Sequence, residues 1–220
     1  MRGRGFNLRE IGIDQLYHFA RPPLLIVISG TSGAGKDSVV KALSKRMEQE
    51  GHPFHFVITA NTRPPRENEV HGVDYLFVSV QEFERMIAND ELLEYAMVYD
   101  QYKGVPKAQV REAMSSGKDV VMRLDVQGAA TMRRLAPEAI LIFITTFSEQ
   151  ELIARLRNRH TEAQEQLGVR IQAAREEMRR IHEFDYVIPN GDGQLDKTVD
   201  TIMAILIAEK HRAVPRRARL

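Results

Sequence analysis

The sequence has no cysteine and no excess of charge of either sign. Without cysteine the chain cannot form disulfides, thiol nucleophiles or thiolate metal sites, and a reducing cytosol would suit it. Thirty-one lysines and arginines against thirty aspartates and glutamates give a net charge of +1, so no overall field indicates nucleic acid or an anionic membrane as a partner.

Long apolar runs are also missing from the sequence. None approaches the roughly 18 residues that a membrane-spanning helix needs. Residues 1–23 carry charges through their middle and lack the apolar stretch of a secretory signal. Together these absences predict a cytoplasmic protein with no membrane partner and no specific nucleic-acid partner.

What the chain does contain is an alternation of two patterns. Its 220 residues are 43% hydrophobic, which favours one core domain with insertions. Short uninterrupted apolar runs, typical of strands covered on both faces, lie at residues 24–29, 120–124, 140–145 and 186–188. Segments of helical period follow them at residues 38–50, 127–135, 149–159 and 195–209. This alternation predicts an α/β fold with a parallel sheet.

Two stretches interrupt the alternation. Residues 59–99 combine alternating segments with a helix-like stretch, which predicts an insertion of mixed or antiparallel sheet. Residues 160–180 are rich in arginine and open with the capping-box pattern Thr161-x-x-Gln164, which predicts a second, helical insertion. The last ten residues are basic, and their interpretation as a solvated tail is favoured over a contact with a partner.

The strongest motif is the segment GTSGAGK at residues 30–36, which directly follows an apolar strand and precedes a helical pattern. Its glycines let successive N–H groups turn inward, and the following helix adds its positive end, so a triphosphate is held by dipoles and the Lys36 ammonium. A plain glycine turn would not require a lysine at this spacing. The predicted triphosphate-binding residues are Gly30, Thr31, Ser32, Gly33, Ala34, Gly35, Lys36, Asp37 and Ser38.

Asp37 stands directly after Lys36, where this motif usually has a serine or threonine that presents its hydroxyl to Mg²⁺. Two arrangements stay open. Either Asp37 reaches the ion directly or through water, or Ser38 caps the helix and Mg²⁺ is held mainly by phosphate oxygens and water. The first is favoured, because a carboxylate beside the phosphates would repel them without a metal between. Asp37 and Ser38 are therefore the candidate metal residues.

A second motif, within residues 61–75, predicts a site for a phosphate acceptor. Arg63 and Arg66 lie three apart around a rigid Pro-Pro pair, and Tyr75 follows nine residues after Arg66. Guanidinium groups match phosphate oxygens with two parallel hydrogen bonds, and proline restricts the backbone that carries them. The segment therefore predicts a preset clamp for a monophosphate, closed by the Tyr75 hydroxyl.

In this segment the chain resembles guanylate kinases. The shared strings, in that family's order and spacing over about residues 24–200, are the phosphate loop, TRPPR at 62–66 with its following E-x-x-G-x-D-Y, LEYA at 93–96, LDVQG at 124–128 and RLRNRHTE at 155–162. The resemblance implies transfer of the γ-phosphoryl group of ATP to GMP, with Mg²⁺ as cofactor. Tolerance of dGMP, and the choice between monomer and homodimer, stay open.

The family's fold is a phosphate-loop core of three layers with a parallel sheet, a mixed insertion that binds the nucleoside monophosphate, and a helical lid. The resemblance thus implies the following division of the chain: an extension (1–23), a core (24–58, 105–154 and 181–210), a GMP-binding insertion (59–104), a lid (155–180) and a basic tail (211–220).

The resemblance also implies roles in binding GMP. Arg63, Arg66 and Tyr75 match its phosphate ligands. Glu94 matches the carboxylate that accepts hydrogen bonds from the guanine N1–H and 2-amino group, which adenine cannot provide. Asp125 matches an aspartate near the acceptor and metal region.

The predicted catalytic residues include three lid arginines, which would neutralise charge on the transferred group after closure. Arg155 and Arg159 lie four apart on one helical face, and Arg170 lies on the next helical segment. Lys36 and Arg63 complete the set. Asn190 matches an asparagine near the ATP adenine. The remaining charges of this region, Glu177 among them, support the alternative of an exposed helix laced with ion pairs.

Some positions depart from the family's pattern. Lys103 and Val105 stand where a phosphate-binding tyrosine and a base-contacting hydroxyl are common, which leaves Thr59, Lys103 and Gly104 as candidate GMP contacts. Arg123 stands where the family commonly has an acid, and the sequence offers no explanation for it.

These departures keep alternatives open. One is a kinase of another small phosphate ester, such as a ribose bisphosphate, although Glu94 and the two clamp arginines argue against it. Another is a non-catalytic guanylate-kinase-like module that binds proteins, which the intact phosphate loop disfavours. A third alternative, an ATPase switch or motor, would require a water-positioning residue and a larger chain.

Overall fold

The computed structural model of the protein describes residues 21–220, apart from Pro53, Asn68, Tyr99, residues 158–163 and Arg219, and it describes only the backbone of residues 98 and 164–166. The strands are β1 (Leu25–Gly30), β2 (Phe54–Phe56), β3 (Ala60–Asn61), β4 (Leu76–Phe77), β5 (Leu92–Val98), β6 (Gln101–Pro106), β7 (Asp119–Arg123), β8 (Ile140–Thr145) and β9 (Tyr186–Pro189). The α-helices are α1 (Lys36–Gln49), α2 (Val80–Ala88), α3 (Lys107–Ser115), α4 (Val126–Leu135), α5 (Glu149–Arg157), α6 (Gln164–Arg179) and α7 (Leu195–Lys210), and a 3₁₀ helix spans Ile181–Glu183. Among these helices none combines the length and apolarity that crossing a membrane requires.

Five parallel strands form the central sheet in the order β2-β7-β1-β8-β9. The apolar sequence of β1 is buried along its whole length, because the strand has neighbours on both edges and helices on both faces. In its register Leu25 pairs with Val120 and Ile26 pairs with Ile140. The predicted parallel sheet is confirmed, and the ends of its four predicted strands lie within one residue of those expected.

Alternate residues of β1 point to opposite layers of helices. Ile26 and Ile28 pack in a core with α1 and α7, and Leu25 and Val27 pack in a second core with α3 and α4. Since successive side chains of a strand face opposite ways, one uninterrupted apolar run serves both cores. The predicted three-layer core is thereby confirmed.

A second sheet, in the order β4-β3-β6-β5, holds one parallel and two antiparallel pairings. It has its own small core around Phe83, whose ring stacks on Tyr102 with centroids 5.1 Å apart. The predicted insertion of mixed sheet is confirmed. The sequence pattern misses β2, β3, β6 and α3. Strand β6 escapes it because Gln101–Pro106 carries polar residues, a glycine and a proline that strand patterns disfavour.

The two remaining segments pack onto this frame. Helix α6 packs against α5 through Ala174, Leu152 and Leu156, while Arg159 and Thr161 lie outside the described residues. The basic tail, interpreted from the sequence as solvated, returns to the core at Arg216. Its guanidinium donates to the carboxylate of Glu209 at 2.8 Å, because that buried carboxylate needs cationic partners.

Candidate active site

A cleft of about 380 Å³ opens where the phosphate loop, the end of β7, the mixed sheet and α6 meet. Its position at the carboxyl ends of parallel strands is the usual ligand position in such sheets. Its cationic lining residues are Lys36, Arg63, Arg66, Lys103, Arg123 and Arg170, and its carboxylates are Asp37, Glu94, Asp125 and Glu177. The excess of cations suits a polyanionic ligand.

The phosphate loop wraps around the Lys36 ammonium, which donates to the carbonyl oxygens of Gly30 at 2.7 Å and Thr31 at 2.9 Å. Gly30 has a φ of 139°, and a Cβ on it would lie 1.9 Å from the carbonyl oxygen of Ile144. Only glycine therefore lets the loop leave β1 beside β8. Gly35, with a φ of 82°, is the N-cap of α1, so the positive end of that helix is directed at the loop.

Asn190 supports the loop from the opposite side. Its Nδ2 donates to the carbonyl oxygen of Ala34 at 2.8 Å, and its Oδ1 accepts from the Thr198 hydroxyl at 3.1 Å. Both Asn190 and Ala34 are buried. The side chain predicted to lie near the ATP adenine thus fixes the loop itself, and a contact with the base stays a prediction.

The two candidate metal residues occupy different places. Asp37 lies in the first turn of α1 and lines the cleft, and its Oδ1 accepts from Arg123 at 2.8 Å. Ser38 is exposed and is not among the lining residues. Because Gly35 is the N-cap, Ser38 lies inside the first turn, and the alternative in which it caps the helix is wrong.

Glu177, which the sequence analysis placed among the charges of an exposed helix, reaches from α6 into the phosphate loop. Its Oε2 accepts from the backbone N–H of Ser32 at 2.9 Å. Burial raises the pKa of Glu177, and the nearby Lys36 ammonium partly opposes that rise. A carboxylate thus satisfies an N–H of a loop built for anions. The helical pattern alone cannot show which glutamate faces the loop.

The predicted acceptor clamp lies together on one wall of the cleft. Arg63 donates twice to Glu69, with both N···O distances 2.6 Å, and its guanidinium lies 5.1 Å from the centroid of the Tyr75 ring. Arg66 is more exposed and lies 4.0 Å from the same carboxylate. The two arginines and Tyr75 all line the cleft, so the structure brings the predicted phosphate ligands together.

Glu94 is a buried carboxylate on the acceptor side. The residue is only 5% exposed, and among the described residues its Oε2 has no hydrogen-bond partner. Burial, assisted by the charge of Asp125, raises the pKa of Glu94 to about 8. Asp125 itself accepts from the N–H groups of Gln127 and Gly128, both at 2.9 Å, as the N-cap of α4. An unpartnered buried acceptor facing a cleft is costly without a ligand that donates to it.

Three further predicted GMP contacts line the same side. Thr59 is buried, and Gly104 leaves no room for a Cβ, which would lie 2.9 Å from the Phe83 ring. Lys103 projects from β6, and burial lowers the pKa of its ammonium, with the charges of Arg63 and Arg123 acting in the same direction. An anion bound beside Lys103 would oppose both effects by favouring the charged ammonium.

Arg123 is a second lining residue, after Glu177, whose place in the cleft sequence reasoning did not predict. Its side chain is 7% exposed and donates to Asp37 and, at 3.1 Å, to the carbonyl oxygen of Asp74. Its guanidinium lies 4.4 Å from the centroid of the Tyr75 ring. The signal was present in the sequence, since Asp37 and Arg123 depart from the motif with opposite charges.

The lid arginines divide into three cases. Arg170 lines the cleft. Arg155 donates to Glu151 and Asp192, both at 2.6 Å, and does not line the cleft, although its Nη1 lies 4.0 Å from a Cβ built on Gly35. Arg159 lies outside the described residues.

Known proteins match most of the chain. A family model described as guanylate kinase matches residues 23–209. The chloroplastic/mitochondrial guanylate kinase 2 of Oryza sativa subsp. japonica is 48% identical over 189 residues, which are 86% of this chain and 65% of that protein. The guanylate kinase of Caldanaerobacter subterraneus subsp. tengcongensis is 44% identical over 86% of this chain and 89% of its own length. The solved structure of guanylate kinase from Anaplasma phagocytophilum has a TM-score of 0.72 and 27% identity, covering 88% of this chain and 89% of that chain.

Proposed function

Since the chain belongs to the guanylate kinase family, we propose that its cleft transfers the γ-phosphoryl group of ATP to GMP and releases ADP and GDP. The observation that carries this proposal is the pairing, in one cleft, of an intact phosphate loop around Lys36 with the buried carboxylate of Glu94. The loop accounts for the donor. The carboxylate accounts for the choice of guanine as the acceptor base.

On the donor side, the loop N–H groups and the first turn of α1 would hold the ATP phosphates. Lys36 already sits at the centre of the loop and would turn from two carbonyl oxygens to phosphate oxygens. Asn190 keeps the loop in shape through Ala34. ATP would therefore meet a preformed cradle, which lowers the cost of ordering it.

On the acceptor side, ionised Glu94 would accept from the guanine N1–H and 2-amino group. Adenine would leave that carboxylate unpaired in a buried site, and such an unpaired group costs more than a missing contact. Arg63, Arg66, Tyr75 and Lys103 would hold the GMP phosphate.

The transfer step needs no general base, because the GMP phosphate is already an anionic nucleophile. It attacks the γ-phosphorus in line as the bond to the ADP oxygen breaks. The cations around the transferred group would neutralise its charge, with Arg170 arriving from α6 and Arg155 and Arg159 from the neighbouring lid segment. Closure of the lid would exclude water as a competing acceptor.

The residues of the cleft fit Mg²⁺ carried on ATP phosphates. Among the residues that the structure describes, no group of three or more acidic or histidine side chains could hold a metal by itself. Asp37 lines the cleft beside Lys36 and would supply a hard oxygen ligand of the kind that Mg²⁺ prefers. When bound, Mg²⁺ would supply neutralisation of phosphate charge.

Turnover with a panel of acceptors tests the proposed function. ADP release would be coupled to NADH oxidation, with ATP, Mg²⁺ and separately GMP, dGMP, AMP, UMP, CMP or a ribose bisphosphate. We expect release that depends on GMP, with Lys36→Ala as the blank. Release without an acceptor would instead indicate an ATPase, and preference for the ribose bisphosphate would reassign the acceptor side.

The division of the chain into core, GMP-binding insertion and lid belongs to the same proposal. A cytoplasmic location and a monomeric or homodimeric state stay predictions from the sequence. Light scattering coupled to size exclusion would decide the oligomeric state.

A further inference from the structure

Arg123 connects three parts of the molecule that the proposed reaction uses. It ends β7, its guanidinium donates to Asp37 in the first turn of α1, and it also donates to the backbone of Asp74 in the insertion. The guanidinium carbon lies over the Tyr75 ring, 4.4 Å from its centroid. Donor and acceptor elements therefore meet on one side chain.

The contact with Asp37 answers an electrostatic difficulty on the donor side. Asp37 follows Lys36 directly, and its side chain is 45% exposed toward the cleft. An uncompensated carboxylate at this position would repel the ATP phosphates, because they would lie closer to it than the distance over which salt screens charges. The Arg123 charge at 2.8 Å compensates it.

The contacts with Asp74 and Tyr75 act on the acceptor side. The Asp74 carboxylate accepts from Lys41 of α1 at 2.7 Å and from the N–H of Val70 at 3.0 Å, while its carbonyl accepts from Arg123. This residue is therefore held at both its side chain and its backbone. Tyr75 follows it directly, so the position of the phosphate clamp depends on the same contacts.

We propose that Arg123 is a positioning residue with two separable tasks, one for each substrate. Through Asp37 it compensates a negative charge beside the ATP phosphates, and through Asp74 and Tyr75 it fixes the clamp for the GMP phosphate. The inference rests on the proposed function for the identity of the two substrates. The two tasks differ in one respect that can be measured, because only the first requires the charge of Asp37.

The test is a double-mutant cycle read by equilibrium binding. Isothermal titration calorimetry would give Kd for ATP and, separately, for GMP with the wild type, Arg123→Gln, Asp37→Asn and the double variant. Titrations of ATP in EDTA and again with Mg²⁺ would show any effect of Asp37 on the metal as a difference between the two. Arg133→Gln is the matched control, since Arg133 forms a 2.8 Å ion pair with Asp185 and does not line the cleft.

Arg123→Gln is expected to raise the Kd for ATP and the Kd for GMP about tenfold each, the scale of a lost charged hydrogen bond. In the Asp37→Asn background its effect on ATP should fall below about twofold, since no charge is left to compensate. Its effect on GMP should persist there. The control variant should leave both Kd values unchanged.

Arg123→Lys keeps the charge and loses the flat fork, so it should restore ATP binding and leave GMP binding weak. If the melting temperature shows that Arg123→Gln does not fold, Arg123→Lys takes its place in the test. The proposal is overturned if neither Kd changes in a folded variant, or if the effect on ATP is as large without the Asp37 charge. A wild type that binds ATP but not GMP would instead contradict the proposed function, and the ATP cycle would still be read.

Discussion

The donor and acceptor halves of the cleft are built in different ways. The donor half is one continuous stretch, residues 30–36, in which backbone groups form the cradle and Lys36 bonds to the loop's own carbonyls. The acceptor half is assembled from the segment between β3 and β4, from β5, β6 and β7, and from the start of α4, and its charged side chains include the buried Glu94 and the half-buried Lys103. A backbone cradle binds any polyphosphate, whereas the charged side chains of the acceptor half distinguish one acceptor from another. In this chain the general phosphate site is therefore formed by one local segment, and the specific acceptor site by residues far apart in the sequence.

Removing the Lys36 ammonium should break the donor half with the largest effect. Lys36→Ala is expected to lower kcat on the order of a hundred- to a thousandfold, because charge developing on the transferred group loses a preorganised partner. Steady-state ADP release measures this loss. Lys45→Ala, on an exposed position of the same helix, is the control and should match the wild type. Equal losses in the two variants would show damage to α1 instead.

Glu94→Gln tests the acceptor half alone. The amide keeps the shape of the side chain but turns a donor toward the guanine donors, so kcat/KM for GMP should fall roughly a hundredfold. KM for ATP should stay within about twofold, since the donor half is separate. Glu91→Gln, at an exposed position beside β5, should change neither constant. A parallel loss for ATP would mean that the two halves are not independent.

The pH dependence of GMP binding sharpens the same comparison. Burial raises the pKa of Glu94 to about 8, and the ionised form is the one that accepts from guanine. Kd for GMP should therefore fall about tenfold for each pH unit toward that pKa and then level off, while Kd for ATP lacks this dependence. Calorimetry between about pH 6.5 and 8.5 measures both, and Glu94→Gln should abolish the dependence for GMP.

The same ionisation affects the free protein with the opposite sign. A folded-state pKa above the usual value of 4.5 means that protonated Glu94 stabilises the fold. This stability is fully present below pH 4.5 and is lost as the pH rises through the folded-state pKa. Urea unfolding should therefore show the free energy of unfolding of Glu94→Gln rising relative to that of the wild type as the pH rises from 4.5 to about 8. A constant difference across the range would contradict the raised pKa.

Gly128→Ala should disturb the acceptor half more mildly. A Cβ on Gly128 would lie 2.9 Å from the Glu94 Oε2, so the carboxylate must shift by several tenths of an ångström. We expect KM for GMP to rise about fivefold, although alanine in a helix otherwise stabilises by roughly 0.5–1 kcal/mol. At Gly168 an added Cβ would meet no atom within 4 Å, so thermal unfolding of the control Gly168→Ala should show only the stabilisation that alanine gives a helix. An unchanged KM for GMP would mean that Glu94 does not need its present position.

The smallest expected effect concerns Glu177, an acid that reaches the donor half from α6. Glu177→Gln removes a negative charge beside the Ser32 N–H. The Kd for ATP should therefore fall about two- to threefold, roughly the effect of one screened charge. Glu176→Gln, exposed on the same helix, is the control. Weaker ATP binding in Glu177→Gln would mean instead that the carboxylate orders the loop for ATP.

What the sequence could predict follows the same division. The loop at residues 30–36 and four of the five strands of the parallel sheet follow local patterns and were predicted to within a residue, whereas the short edge strand β2 was missed. The mixed insertion was predicted, but β6 was not, because its polar residues, glycine and proline hide the strand pattern although it forms a hairpin with β5. The ion pair of Arg123 with Asp37 joins residues 86 positions apart. Nothing local selects Glu177 from its neighbours, so contacts of this kind require the structure.

The central place of β1 has a consequence for synthesis on the ribosome. This first strand emerges early, yet its partner Val120 of β7 follows Leu25 by 95 positions, and its partner strand β8 comes later still. At about 5–20 residues per second the strand must wait for seconds without neighbours. The insertion's strands pair over shorter separations and have their own small core. The mixed sheet of the insertion can therefore form on the nascent chain before the central sheet closes around β1.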